Sequence, residues 1–289
     1  MGLVVKACDL LVLKRKPLMK HKISLGKVQE TLLIPLWSRA MEAKKPSPII
    51  KDIKAVEILE KIDYDFSKFK RAKGTQVGAC LRGLLIDKWV KDFIKKHPKG
   101  TIVEIGAGLD TRFERIDNGQ IKWFDLDLPD SMEIRKKFFQ ETDRRKFISG
   151  SVLDPAWIDI VKAAGSEPVF FITEGVLIYL KEAEIKKFLH MIADNFPGSS
   201  LAFDAIAPFM VMLQCFHDSV RHMAARFTWG ISNVRNIEKW DSRFRINEAL
   251  TLRNAPPQHY RHMPAMLRLG FLLIPLLRHV CNVNLATIG

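Results

Sequence analysis

The run Glu104-Ile105-Gly106-Ala107-Gly108-Leu109-Asp110-Thr111 carries the first chemistry legible in this chain. It continues the apolar segment Thr101 to Val103 and precedes a second apolar-acidic run, Trp123-Phe124-Asp125-Leu126-Asp127. A strand, a glycine turn, a helix start and a downstream acid form the opening of a nucleoside-binding α/β unit. The dinucleotide fingerprint asks for a third glycine, and Thr111 stands in that place. That departure argues against a nicotinamide dinucleotide and leaves another nucleoside cofactor to be named.

Polar residues recur where further apolar runs end. Gly106 and Gly108 close the first, Asp127 the second, Ser151 to Asp154 the third, and Glu174-Gly175 the fourth. In a doubly wound sheet, ligands bind beyond these carboxyl ends, so the four sets converge on one site. Each has a plainer reading beside it. Gly106 also suits a tight strand-to-helix turn with no ligand. Asp127 suits the N-cap of the helix opening at Pro129, and Asp154 suits the N-cap before Pro155. Glu174 is harder to explain structurally, because a carboxylate closing the strand Val169-Phe170-Phe171-Ile172 needs a partner.

The elements that position these residues follow from periodicity. Residues 24 to 97 read as helical, with Leu33, Leu36, Trp37 and Ala40 on one face and a break at Lys44 to Pro48. Ile53 to Ile62 is a short helix. From Val77 to Ile94 one apolar stripe runs through Leu81, Leu84, Leu85, Trp89, Val90 and Phe93, stopped by His97 to Gly100. Strands are expected at Thr101–Ile105, Lys122–Asp125, Lys146–Ser149, Pro168–Thr173 and Ser200–Asp204. Helices are expected at Pro129–Phe139 and Lys181–Asn195, with another opening after Asp154. Strands alternating with helices predict an α/β fold, a doubly wound, mostly parallel sheet. Phe209 to Trp229 reads as helical, and further strands are expected between Arg243 and Ile288. The organisation expected is a helical N-terminal region over residues 1–97, packed on an α/β core over 98–289. The core carries a helical insertion at about 207–242.

With 289 residues, 47% hydrophobic and 27% charged, the chain is long and apolar enough for a real core. Its net charge of +14 suits an acidic partner: nucleic acid, an anionic membrane surface or an anionic small molecule. The same charge also reads as a solvated basic surface, and no aromatic-interleaved motif singles out nucleic acid. Four scattered cysteines without a CxxC pair argue against zinc and disulfides and fit a reducing cytoplasm. The run Val4 to Leu13, interrupted by Lys6 and Asp9, makes a poor signal peptide and is too short to span a bilayer. Phe271 to Leu277 is also too short; burial against the core is expected for it, with surface docking on a membrane the other reading.

Several stretches together resemble one family. They are Thr31 to Leu36 with Arg39-Ala40, Asp63 to Phe66, Glu104 to Phe113, Asp125 to Pro129, Ser151 to Asp154 with Trp157, Glu174 to Leu180, and Asn195 to Gly198. In this order they are similar to the leucine carboxyl methyltransferase superfamily, and more closely to its bacterial branch of polyketide-type (tetracenomycin-type) O-methyltransferases. The resemblance spans about Thr31 to Asp204 and weakens beyond. It implies a class I methyltransferase that uses S-adenosyl-L-methionine (SAM) and releases S-adenosyl-L-homocysteine. It further implies that Arg82 holds the methionine carboxylate and that Gly106 offers its carbonyl to the amino group, with Glu174 nearby. Asp127 would receive the ribose hydroxyls, and Ser151 and Val152 would border the adenine.

The reaction expected is methyl transfer to an oxygen, a carboxylate by first preference, of a small or polyketide-like acceptor. A carboxylate is ionised at neutral pH and needs no base, whereas a phenol would gain from one; no catalytic base is nominated. His217 and Arg221, with His222, lie at helical spacing among Met212, Phe216, Met223 and Phe227. They read either as a pocket with cationic groups for an anionic acceptor or as a partly buried helix with a basic face. Tyr179 borders the pocket or simply packs. Two other classes stay open on the residues alone: an NAD-dependent oxidoreductase on the same sheet, and a basic nucleic-acid-binding protein. No bound metal is expected, and oligomeric state is not legible.

Overall fold

The computed structural model describes residues 21–22, 29–165, 168–220 and 224–289. Its centre is a seven-stranded sheet: β1 (Thr101–Ile105), β2 (Lys122–Asp127), β3 (Arg145–Ser149), β4 (Val169–Thr173), β5 (Ser199–Ile206), β6 (Phe244–Thr251) and β7 (Cys281–Ile288). The spatial order is β3-β2-β1-β4-β5-β7-β6. The first five strands pair in parallel, and β7 runs antiparallel to both β5 and β6. Every residue of β1 and β4 is buried, as a parallel sheet covered on both faces requires.

Alternation along the strands feeds two cores. Val103, Phe124, Phe171 and Phe203 face one way, onto α6 (Ala156–Ala164) and α7 (Glu182–Asn195). Ile102, Trp123, Phe170 and Ala202 face the other, onto the long helix α3 (Lys73–Lys96). The stripe expected on α3 is buried from Val77 through Ile94, with Leu84 partly covered. A third cluster joins α1 (Leu33–Ala43) and α2 (Ile53–Lys61) to Leu109, Ile178 and Ile206 at the carboxyl ends of the strands. The N-terminal helices therefore sit over the place where the glycine turn emerges. The remaining short helices are α4 (Arg112–Ile116), α5 (Pro129–Arg135), α8 (Pro208–Met212) and α9 (Pro257–Tyr260). They are joined by the nine-residue α10 (Ala265–Leu273).

The first five strands lie within two residues of their expected bounds at either end. The two strands anticipated after Arg243 are β6 and β7. Their pattern is hard to read because β7 buries Asn282 and Asn284 among its apolar residues, while β6 alternates buried and exposed positions at the sheet edge.

Three expectations are corrected. Helix α5 stops at Arg135 rather than Phe139, because the chain turns there and buries Phe139 beneath the Arg135 and Arg145 guanidiniums, 4.4 and 5.0 Å from its ring. Phe209 to Trp229 is not one helix. After α8 and a 3-10 turn at Gln214–Phe216, the Gln214 side chain donates to the carbonyls of Val211 and Phe227 and accepts from the Phe227 amide. That clamp brings residues 224–233 back as an irregular strap. Arg221 and His222 lie outside the described residues. Finally, Phe271 to Leu277 is not buried as a run: Phe271 points inward, while Leu272, Leu273, Ile274 and Leu276 are exposed.

Phe171 lies fully buried on β4, edge-on to both rings of the stacked pair Trp157 and Phe196. Phe171→Ala is expected to cost about 3–5 kcal/mol of stability through lost burial and an unfilled cavity. Urea denaturation measures this; a loss below about 1 kcal/mol would mean that this face of the sheet is loosely packed.

Candidate active site

The carboxyl ends of β1, β2 and β4 open on a cavity of about 730 Å³. It lies at the switch point where the chain leaves β1 towards β2 on one side and β4 on the other, the ligand crevice of such sheets. The glycine turn forms one wall. Gly106 and Gly108 have φ of +67° and +44°, and a Cβ on Gly106 would meet Val176 Cγ2 at 2.4 Å. Both the conformation and the close approach demand glycine at Gly106.

Asp127 is tied to that turn. Its Oδ2 accepts from the Gly108 amide at 2.6 Å and its Oδ1 from the Leu128 amide at 2.7 Å. Asp127 thus braces the turn against the end of β2; the Ser131 side chain of α5 also bonds to it, but the N-cap position of that helix is Leu128. Burial raises its pKa, and the two amides and Arg135 pull part of that shift back. Ser151 and Val152 line the same cavity. Asp154 accepts from the amide of Ala156, the first residue of α6, at 3.1 Å; the N-cap itself is Pro155, so Asp154 supports the helix start from one position before the cap expected of it.

Glu174 has the partners that its setting required. Its Oε1 accepts from Arg82 Nε at 2.9 Å and its Oε2 from Arg112 Nη2 at 2.5 Å. Arg82 also donates through Nη1 to Asp204 Oδ2 at 2.9 Å, and Asp204 Oδ1 accepts from the Gly175 amide at 2.6 Å. Burial works against the Arg82 charge, but Asp204 and Glu174 outweigh it and hold its pKa above the ordinary value. Arg82, Gly106, Asp127, Ser151, Val152 and Glu174 thus all border one cavity.

Sequence reasoning gave no role to Arg112, Asp87, Glu104 or Asp204. Arg112 is fully buried and donates to Asp87 Oδ1 at 2.7 Å and Glu104 Oε1 at 2.6 Å, besides Glu174. The signal was present: Asp87 interrupts the apolar stripe of α3, and a buried carboxylate in such a stripe asks for a cation. Thr111 is explained as well. It is buried and donates its hydroxyl to Asp52 at 2.5 Å, and Asp52 also accepts from Arg39 Nε at 3.0 Å. A glycine in its place would lose that bond.

The family model described as leucine carboxyl methyltransferase matches residues 33–193, from the start of α1 into the last turn of α7. The chain belongs to the leucine carboxyl methyltransferase family. It is 32% identical over 239 residues to the tetracenomycin polyketide synthesis O-methyltransferase of Streptomyces glaucescens, covering 82% of this chain and 88% of that protein. It is 27% identical to an S-adenosyl-L-methionine-dependent methyltransferase of Gibberella zeae, over 76% of this chain and 80% of that one. A crystal structure from Thermobifida fusca, of a candidate methyltransferase, shares the fold with a TM-score of 0.57 at 13% identity, covering 87% of this chain and 94% of that one. The protein is accordingly a SAM-dependent methyltransferase. That membership replaces the oxidoreductase and nucleic-acid-binding readings.

Away from the sheet, this methyltransferase lines its cavity with apolar side chains, among them Met210, Phe216, Phe227, Met263 and Phe271. Tyr179 lies here with its ring 5.7 Å from that of Phe227, and burial raises its pKa. His217 also lines the cavity, its ring edge-on to Phe227. Its Nδ1 accepts from the amides of Ser219 and Val220 at 3.4 and 3.3 Å. Burial lowers its pKa against the opposing pull of Asp218. Burial therefore disfavours the cationic form of His217, one of the two readings open for it, and the two amides leave Nε2 as the position for its proton.

Glu104 shares the Arg112 charge with Asp87 and Glu174. Burial first, and then the Asp110 carboxylate, push its pKa from 4.5 up to about 8. An unfolded glutamate gives up its proton near 4.5, so the folded chain holds one proton more between about 4.5 and about 8. The contribution of this group to stability is complete below that window and is lost as pH rises through it. Glu104→Gln cannot ionise and should flatten that part of the decline. Urea midpoints across this range check it, and an equally steep fall in the variant would mean that Glu104 is already ionised.

Proposed function

We propose that this enzyme transfers the SAM methyl group to a carboxylate oxygen of a small, largely apolar, polyketide-like acceptor. The observation that carries this reading is one cavity with two unlike halves: a glycine turn flanked by carboxylates, and an apolar chamber with a neutral histidine. The polyketide class is suggested by the Streptomyces glaucescens relative.

The residues present fit SAM. Positive φ at Gly106 and Gly108 lets the backbone approach a ligand closely. Glu104 Oε2 is buried at the cavity wall with no hydrogen-bond partner among the described residues; a ligand ammonium beside it would pull the raised Glu104 pKa back down and make that oxygen an anionic acceptor. In this assignment the Gly106 carbonyl, Glu104 and Glu174 receive the amino group. Asp127 accepts from the ribose hydroxyls, Ser151 and Val152 border the adenine, and Arg82 meets the methionine carboxylate. Glu174 and Asp204 hold the Arg82 guanidinium in place for that contact.

Bound SAM supplies a methyl group already activated on a sulfonium. What the chain must do is position an acceptor oxygen and keep water out; positioning alone can contribute several kcal/mol, up to about 7–11. An acceptor carboxylate, with a pKa near 4, is ionised without help. His217 supports that choice, because its Nδ1 is occupied as an acceptor and its Nε2–H is a donor suited to a carboxylate oxygen. Tyr179 borders the acceptor side.

Two experiments test this. Calorimetry should show SAM binding that Asp127→Ala weakens by about ten-fold or more, the loss of charge-assisted hydrogen bonds; unchanged affinity would leave Asp127 a purely structural brace. Incubation with methyl-labelled SAM and paired aromatic carboxylic acids and phenols should label the acids. The product should release methanol in alkali, as esters do and aryl ethers do not. The rate should be level from about pH 6 to about pH 9, well above the acceptor's own pKa. A base-stable product, or a rate following one ionisation that His217→Gln abolishes, would move the chemistry to a hydroxyl.

A further inference from the structure

Ten of the thirteen large apolar side chains exposed among the described residues fall on two segments. Met212, Leu213 and Phe216 lie on α8 and the turn after it. Met266, Leu267, Leu269, Leu272, Leu273, Ile274 and Leu276 lie on α10 and the 3-10 turn that follows. Both segments also line the cavity, through Phe216 on one side and Leu267, Phe271 and Leu277 on the other. Leu267 and the Asp218 that follows the other segment both approach the start of α3, where a Cβ on Gly74 would lie 2.8 Å from Leu267 and 3.3 Å from Asp218. The exposed apolar surface is therefore the rim of the active-site cavity.

Helix α10 is apolar all round except for Arg268. One side walls the cavity; the other, with Met266 at 87% exposed and Leu273 at 66%, meets nothing among the described residues. A helix apolar on every side belongs in a core or against lipid, and a contiguous patch of this kind marks an interaction surface. Charge identifies the partner. Residues 249–289 contain Arg253, Arg261, Arg268, Arg278 and three histidines, and no Asp or Glu. Arg253, Arg261 and Arg268 are exposed, and Arg278 holds the α10 end through the carbonyls of Phe271 and Leu272. The acid facing the rim, Asp218, is engaged by the hydroxyl and amide of Thr75.

We propose that this rim seats on an anionic lipid surface, with Met266, Leu272, Leu273 and Leu276 entering the acyl boundary and the arginines meeting phosphate headgroups. A second copy of the chain fits less well, because a two-fold contact would bring these acid-free basic segments together. Among the described residues no helix is long and apolar enough to cross a bilayer, so the contact is interfacial. It opens the cavity mouth towards the lipid. If the acceptor is apolar, as proposed above, it can pass from bilayer to site without crossing water; the docking itself does not depend on that reading.

The test is co-sedimentation of the full chain with vesicles of phosphatidylcholine alone and with phosphatidylglycerol added. Binding is expected to the anionic vesicles and to weaken with salt. The triple variant Met266→Ser, Leu273→Ser, Leu276→Ser, outside the cavity lining, should bind them at least about ten-fold more weakly while keeping its SAM affinity. Arg261→Glu with Arg268→Glu, which leaves the apolar face intact, should do the same and serves if the triple variant does not fold. No binding by the native chain, binding indifferent to phosphatidylglycerol, or variants that bind as the native chain does would overturn the proposal. So would a dimer in analytical ultracentrifugation that the variants dissolve, which would make the rim an interface between copies.

Discussion

A single guanidinium, that of Arg112, is what the site depends on. It is fully buried and bonds Asp87 on α3, Glu104 on β1 and Glu174 at the end of β4. Three elements distant in sequence are thereby held at the angle and separation that one planar cation permits. Breaking such a buried group by removing one partner commonly costs about 3–5 kcal/mol, because the others are left charged and dry. Glu174 in turn holds Arg82, and Arg82 engages Asp204 on β5. The cavity's polar wall is therefore a chain of alternating charges anchored at one residue that lies behind it.

A second set of arginines secures the glycine turn. Positive φ at Gly106 and Gly108 turns backbone carbonyls away from any strand partner, and buried carbonyls must be satisfied. Arg135 does this, donating from Nη1 to Ala107, Gly108 and Asp110 at 3.0, 2.8 and 3.1 Å. Arg39 reaches the Leu109 carbonyl from α1 at 2.9 Å while it is paired with Asp52. The turn is thus held by hydrogen bonds from both α5 and the N-terminal helix α1. Preorganisation of this kind spares the ordering cost at binding.

The other half of the cavity is built on different physics. It has few hydrogen bonds, side chains from α8, α10 and the strap at 224–233, and an outer edge that remains apolar. The Gln214 clamp on the Phe227 backbone closes this half with neutral amide bonds. In the assignment proposed, the donor side is specified by charge and fixed geometry, and the acceptor side by shape and burial. One protein can therefore retain a SAM site while its acceptor chamber changes.

The sequence by itself determined the sheet, the glycine turn and the family. Parallel strands buried on both faces are nearly continuous apolar runs, and a turn with positive φ must be written in glycine, so both are local signals. It also required a partner for Glu174 without saying which. Tertiary structure supplied Arg82 and Arg112, since a charge pair between residues 62 or 92 apart leaves no spacing to read. It likewise decided that Phe209 to Trp229 breaks after one turn, because a distant backbone meets the Gln214 side chain there. The run Phe271 to Leu277 shows the limit most clearly. Its composition promised burial, but burial depends on what lies opposite, and beyond its outer face the described chain places nothing.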